Sequence, residues 1–130
     1  MKLSTIERIR LLTDENTFQE FSQPVETANI TGSGQINGKK VFILAHTHEV
    51  SEKKPDLFFS IQQQIALIEM AGKDLCPLIL LVDLASHHTE NSSHIPSDHA
   101  RILAHRHGMG YTYFQLGRLS GKVPMVALLL

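Results

Sequence analysis

The chain has 130 residues, 42% of them hydrophobic and 19% charged, with a formal net charge of −1 and a mean hydropathy of −0.05. This is the composition of one globular domain able to bury a modest core, without the basic excess of a nucleic-acid binder or of a protein that coats an anionic membrane. No run reaches the roughly 18–20 apolar residues of a membrane span, Met1–Ser4 does not open a signal peptide, and the single cysteine, Cys76, forms no internal disulfide, which suits a reducing cytoplasm.

Ser4-Thr5-Ile6-Glu7 has the spacing of a capping box, followed by an apolar stripe of Ile6, Ile9 and Leu12. Asp14–Asn16 break that helix, and Phe18 and Phe21 form a small aromatic anchor, so the segment is expected to pack on the outside of the fold or against a partner. Ile30–Ile36 and Val41–Ala45 read as strands joined by Asn37-Gly38, a pair that tolerates the two positive φ values of a type I′ hairpin turn. Gly32 and Gly34 alternate on one face, which predicts a bulge or a close backbone approach.

A polar stretch, Ser51–Asp56, precedes a helix marked by Phe58, Ile61, Ile65 and Ile68, with Gly72 as its stop signal. Pro77 opens a strand over Leu78–Val82, and Cys76 at its head reads as a small buried side chain rather than a reactive thiol. A Ser- and His-rich loop runs from Ser86 to Pro96. Ser97 then caps a second helix carrying Ile102, Leu103 and Met109, which must bend or end near Gly108 and Gly110, although Tyr113, Phe114 and Leu116 keep a helical rhythm. Tyr111, Tyr113 and Phe114 are expected to pack against the sheet or a subunit rather than to stack on a ligand base. Ser120-Gly121-Lys122 turns into Pro124–Leu130, a strand apolar enough to require cover on both faces.

Strands alternating with helices after a hairpin give an α/β fold whose later strands pair in parallel. The expected organisation is one unit over 1–130, with a helical segment at 1–22 and a sheet-and-helix core at 29–130. Ligand loops in such folds leave the carboxyl ends of the strands. The chain therefore reads as the N-terminal part of a larger fold, incomplete at its C-terminus, that would oligomerise through its last strand.

Four segments carry a family resemblance: Glu7-Arg8-Ile9 with Leu12-Thr13-Asp14 and Phe18-Gln19-Glu20-Phe21; Gly34–Val41; Leu80–Ser86; and Arg118–Val126. Their order and spacing resemble the carboxyltransferase subunits of the crotonase superfamily, and the last two look closest to the γ subunit of biotin-independent malonate decarboxylase. The resemblance implies a ββα spiral fold that binds an acyl thioester of coenzyme A or of an acyl-carrier protein, with no covalently bound cofactor. Paired backbone N–H groups would hold an enolate oxyanion while a carboxyl group leaves or is transferred. It also implies a homo- or hetero-oligomer with another carboxyltransferase-type subunit, with neither nucleic acid nor membrane as partner. Asp83, Ser86 and His87 would line the acyl end. The biotin-dependent relatives carry "GGS" and "SGGAR" loops where this chain has Ser51–Lys54 and Ala85–His88, and glycine there lets backbone approach the ligand. The same fold stripped of its chemistry, an interaction or relic protein, is the second reading.

Eight histidines raise a third. His46 and His48 share a face at one strand end, His87 and His88 leave the next strand, and His94 and His99 are near enough in sequence to join them. Imidazoles converging at one sheet edge would hold a divalent metal, whereas the bland reading is a set of solvated loop histidines. His105 and His107, two apart on a helix, diverge. Adjacent Ser86 and His87 have no third orienting group and do not make a nucleophile–base pair.

Overall fold

The computed structural model describes residues 3–23, 27–47, 57–83 and 109–129. The Ser51–Asp56 stretch, the Ser86–Pro96 loop and the Ser97-capped segment lie outside them.

The first helix, α1 (Thr5–Leu12), begins with the expected capping box: Glu7 N–H donates to Ser4 Oγ at 3.2 Å and Ser4 N–H to Glu7 Oε2 at 2.7 Å. The Ser4 backbone and hydroxyl hydrogen bonds hold the Glu7 carboxyl below its ordinary value of 4.5. The capping contribution is therefore complete above that value and fades as pH falls through the lower folded-state one.

Five strands form one sheet in the order β1 (Gln19–Glu20), β2 (Asn29–Ile36), β3 (Lys39–His46), β4 (Leu78–Val82), β5 (Met125–Leu129). The first two pairings are antiparallel, and β3–β4 and β4–β5 are parallel. Helices α2 (Leu57–Asp74) and α3 (Met109–Leu119) lead into β4 and β5.

Because side chains alternate along a strand, the apolar run of β3 feeds two cores. Phe42 and Leu44 join Leu67, Ile68, Ala71, Leu78, Leu119 and Val123 under α2 and α3. Val41, Ile43 and Ala45 join Ile9, Ile79 and Leu81 under α1. The two anchor phenylalanines serve opposite faces: Phe18 packs on the α1 core, and Phe21 meets Phe42 edge-on at 6.2 Å.

The hairpin matches its sequence signal, with Asn37 at φ 51° and Gly38 at φ 78°. Gly32 and Gly34 mark a close approach rather than a bulge, since the β2–β3 register is unbroken. A Cβ on Gly32 would collide with the Gln19 carbonyl oxygen and the Phe18 ring, and one on Gly34 would lie 2.8 Å from Thr13 Cγ2. Asp14 ties the same segment to the turn, its carboxylate accepting from Asn37 N–H at 2.9 Å and Gly38 N–H at 2.7 Å. The short strand β1 that these contacts hold has no periodicity of its own and was not foreseeable from the sequence.

Two expectations are corrected. Gly72 does not stop α2; it lies where a Cβ would sit 3.3 Å from Leu119 Cδ1, so its role is helix-to-helix approach. The helix ends at Asp74, with Leu75 at φ 50° and Cys76 N–H donating to Ala71 O, a Schellman closure with leucine where glycine is usual. Of the two surfaces expected for Tyr113 and Phe114, a sheet or a subunit, the sheet is ruled out: they lie on the surface at 62% and 57% exposure, because α3 buries Thr112, Gln115 and Leu119 instead. Among the described residues β5 is an edge strand beside β4, and Val126, Leu128 and Leu129 are exposed.

These features predict opposite signs for two substitutions in chemical denaturation. Gly32→Ala destabilises by about 1–3 kcal/mol through overpacking, whereas Leu75→Gly stabilises by up to about 1 kcal/mol by relieving left-handed backbone.

Candidate functional site

The carboxyl ends of β3 and β4, together with the amino end of α2, form the edge to which the sequence assigns its candidates. Two of those candidates fall within the described residues, His46 at the end of β3 and Asp83 just after β4. Ser86, His87, His88 and His48 lie outside them, so the edge is built here from its supports.

Asp83 is 4% exposed. Its Oδ2 accepts from Arg8 Nη1 on α1 at 3.3 Å, an ion pair in which the two side chains are 6% and 20% exposed respectively. Burying a carboxylate is costly unless it is paired, so a guanidinium delivered from across the core lets an acid sit where the chain leaves β4. Arg8 reaches it because it lies one residue before Ile9, which is fully buried against Ile43 and Ile79. Through this pair the carboxyl edge is latched to the N-terminal helix, 75 residues away in sequence.

A buried polar layer supports the other side. Asn29, at the start of β2, pairs across the strand with His46 at the end of β3. Its Nδ2 donates to Ser60 O at 3.1 Å, Gln64 Nε2 donates to Asn29 Oδ1 at 3.3 Å, and Ser60 Oγ accepts from Ala28 N–H at 3.0 Å. Gln63 Nε2 donates to Thr31 Oγ1 at 3.0 Å, both residues being buried. This amide–hydroxyl layer sets the first turns of α2 against β2 and so fixes the helix end that faces the edge. Nothing in the sequence singled it out: Ser60, Gln63 and Gln64 read as the polar side of an amphipathic helix, and only the presence of β2 opposite them shows that part of that side is buried.

Among the described residues, no three of His, Cys, Asp and Glu gather as a metal-holding group. His46 is half-buried, and its proposed co-ligands His48, His87 and His88 fall outside the described residues. Cys76 is buried, its Sγ donating to Lys40 O at 3.4 Å, and desolvation pushes its thiol above the ordinary 9.0. No helix among the described residues is long and apolar enough to cross a membrane.

No protein-family model matches the chain. Over 98% of its length it is 28% identical to an uncharacterized carboxylase, YngE, of Bacillus subtilis (strain 168), of which it spans 25%. Among solved structures it is similar to the transcarboxylase 12S with methylmalonyl-coenzyme A bound, with a TM-score of 0.70 and 19% identity over 98% of this chain and 26% of that one. The MdcD–MdcE hetero-dimer of Pseudomonas malonate decarboxylase matches at a TM-score of 0.51 and 19% identity, covering 62% of this chain and 36% of that one. The chain thus spans about a quarter of the carboxylase and transcarboxylase chains that it matches almost end to end.

Two measurements check the supports. Arg8→Ala and Asp83→Asn each lower stability by about 1–3 kcal/mol, because the first strands a buried carboxylate and the second weakens a charge-assisted bond. Cys76 resists alkylation at neutral pH in the folded protein and reacts on unfolding; equal rates in both states would contradict its burial. With its double-sided sheet, N-terminal helix and polar carboxyl edge, the chain has the fold of the transcarboxylase 12S chain over the quarter of that chain it spans.

Proposed function

We propose that this chain supplies the N-terminal sheet of a carboxyltransferase that acts on an acyl thioester. The observation that carries the reading is the end-to-end match to carboxylase-type chains, in sequence to one and in fold to another. The thioester lies at the carboxyl edge, where the loop from Asp83 to His87 lines the acyl end. Asp83, held by Arg8, sets the direction in which the chain leaves β4, while Ser86 and His87 face the substrate. The substrate is a malonyl-type thioester carried by coenzyme A or by an acyl-carrier protein. Its carboxyl carbon–carbon bond breaks, the electron pair passes into the thioester carbonyl as an enolate, and CO2 is released or handed to an acceptor. Backbone N–H groups preset at the developing oxyanion supply the stabilisation, some from the loop after Asp83 and some from a partner subunit of carboxyltransferase type. That partner packs on β5, whose outer main-chain groups have no neighbouring strand among the described residues and suit strand addition.

Within this reading, an acyl-CoA carboxyltransferase is favoured over a malonate decarboxylase subunit by coverage, 98% of the chain against 62%. A non-catalytic member of the same fold is the second reading. It is favoured by Ser51–Lys54 and Ala85–His88, whose side chains replace the glycines that let backbone reach a ligand.

Binding of malonyl-CoA and acetyl-CoA to the assembly purified from its source cells separates the two. The enzyme binds both within the range of about 1 µM to 1 mM usual for KM and releases CO2 from the malonyl thioester. An assembly that binds neither thioester is the non-catalytic form.

A further inference from the structure

The C-terminal half of α2, the length of α3 and the turn before β5 line an open cleft of about 420 Å³. It lies at the amino edge of the sheet, so the length of β4, about 16 Å at 3.3 Å per residue, separates it from the carboxyl edge. Ile68, Gly72 and Leu119 line its apolar part, Tyr111 and Gln115 its polar wall, and Glu69, Lys73, Arg118 and Lys122 carry its charge.

Three cations and one acid converge here in a chain whose net charge is −1. Among the described residues the side chains of Glu69, Lys73 and Lys122 make no ion pair or hydrogen bond, and Arg118 makes one cation–π contact, its guanidinium 5.9 Å from the Phe114 ring centre. Helix dipoles account for Lys73 and Arg118, which sit in the last turns of α2 and α3. They do not account for Lys122, which lies in the turn. The apolar surroundings are also unusual. Phe114 stacks on Tyr111 at 6.0 Å, and Met70 and Phe114, each within one helical turn of a lining cation, are 40% and 57% exposed. Leu75, just past α2, is 68% exposed and held at φ 50°, a strained arrangement for leucine that tends to persist at functional surfaces.

From this we infer that the cleft between α2 and α3 docks an acidic, amphipathic segment of a partner protein. Carboxylates on that segment meet Lys73, Arg118 and Lys122, and its apolar side chains cover Phe114, Met70 and Leu75. Charge complementarity selects this occupant. A second copy of the same face would bring the three cations against three more, and a small anion would leave the exposed apolar residues on both helices uncovered. Opposite charge steers such a partner and apolar anchors hold it. The inference stands independently of the thioester reading, which concerns the other end of the sheet.

Zero-length carbodiimide cross-linking tests it, because the reagent joins lysine amines only to carboxylates in direct contact. Applied to the assembly from source cells and mapped by mass spectrometry, it should link Lys73 and Lys122 to aspartates or glutamates within one segment of another protein. Arg118→Glu, which removes no reacting amine and changes an exposed side chain, should lower that yield about tenfold, while Arg118→Lys should largely retain it. Links confined to this chain, such as Lys73 to Glu69, would overturn the proposal, as would a yield indifferent to Arg118→Glu. Loss of the links to millimolar inorganic pyrophosphate at constant ionic strength would also overturn it, by identifying a small-anion pocket.

Discussion

The constraint on which the structure depends is the burial of β3 on both faces. Val41 to Ala45 is an unbroken apolar run, every residue of it buried, so neither side of the strand can be left to water. Helices α2 and α3 cover Phe42 and Leu44, which leaves Val41, Ile43 and Ala45 to α1. At about 25 cal/mol per Å² of apolar surface, losing either cover would cost a large part of a marginal folding free energy. The N-terminal helix is accordingly part of the core rather than an appendage to it.

That requirement explains why so many contacts hold the N-terminal segment in place. Gly32 and Gly34 remove the side chains that would lift it off β2, Asp14 clasps the hairpin turn, and Thr17 Oγ1 accepts from Gln35 N–H at 3.1 Å. Arg8 then extends from the same helix to Asp83. A device that completes the core thereby also sets the carboxyl edge, coupling stability to the geometry of the candidate site. The two ends of the sheet differ in character: the carboxyl edge is lined by amides, hydroxyls and a latched acid, and the amino edge by cations without an ion pair among the described residues and by exposed aromatic rings.

Local chemistry was readable wherever it is written in neighbouring residues. The Ser4–Glu7 capping box, the Asn37-Gly38 turn, the Ile61, Ile65 and Ile68 stripe and the parallel strands all depend on spacing within one element. What could not be read depends on residues brought together by the fold. Arg8 and Asp83 carry no mutual signal in sequence, and Ser60 and Gln63 look like solvated positions until β2 covers them. Tyr113 and Phe114 misled for the converse reason. Aromatic residues at helical spacing usually mark a core face, yet α3 turns its smaller and polar Thr112 and Gln115 inward. Gly72 misled similarly, since helix-stop and helix-approach glycines look alike until the neighbouring helix is placed.

The fold, the Arg8–Asp83 latch and the carboxylase-type likeness are the grounds on which we propose thioester chemistry at the carboxyl edge. Hydrogen exchange of the assembled protein, compared with and without malonyl-CoA, tests this most directly, because it locates the ligand on the chain. Slowed exchange in peptides spanning 79–88 and 44–50, at the ends of β4 and β3, is the predicted result. Unchanged exchange there, or slowing confined to the α2–α3 cleft, would contradict a thioester site at this edge.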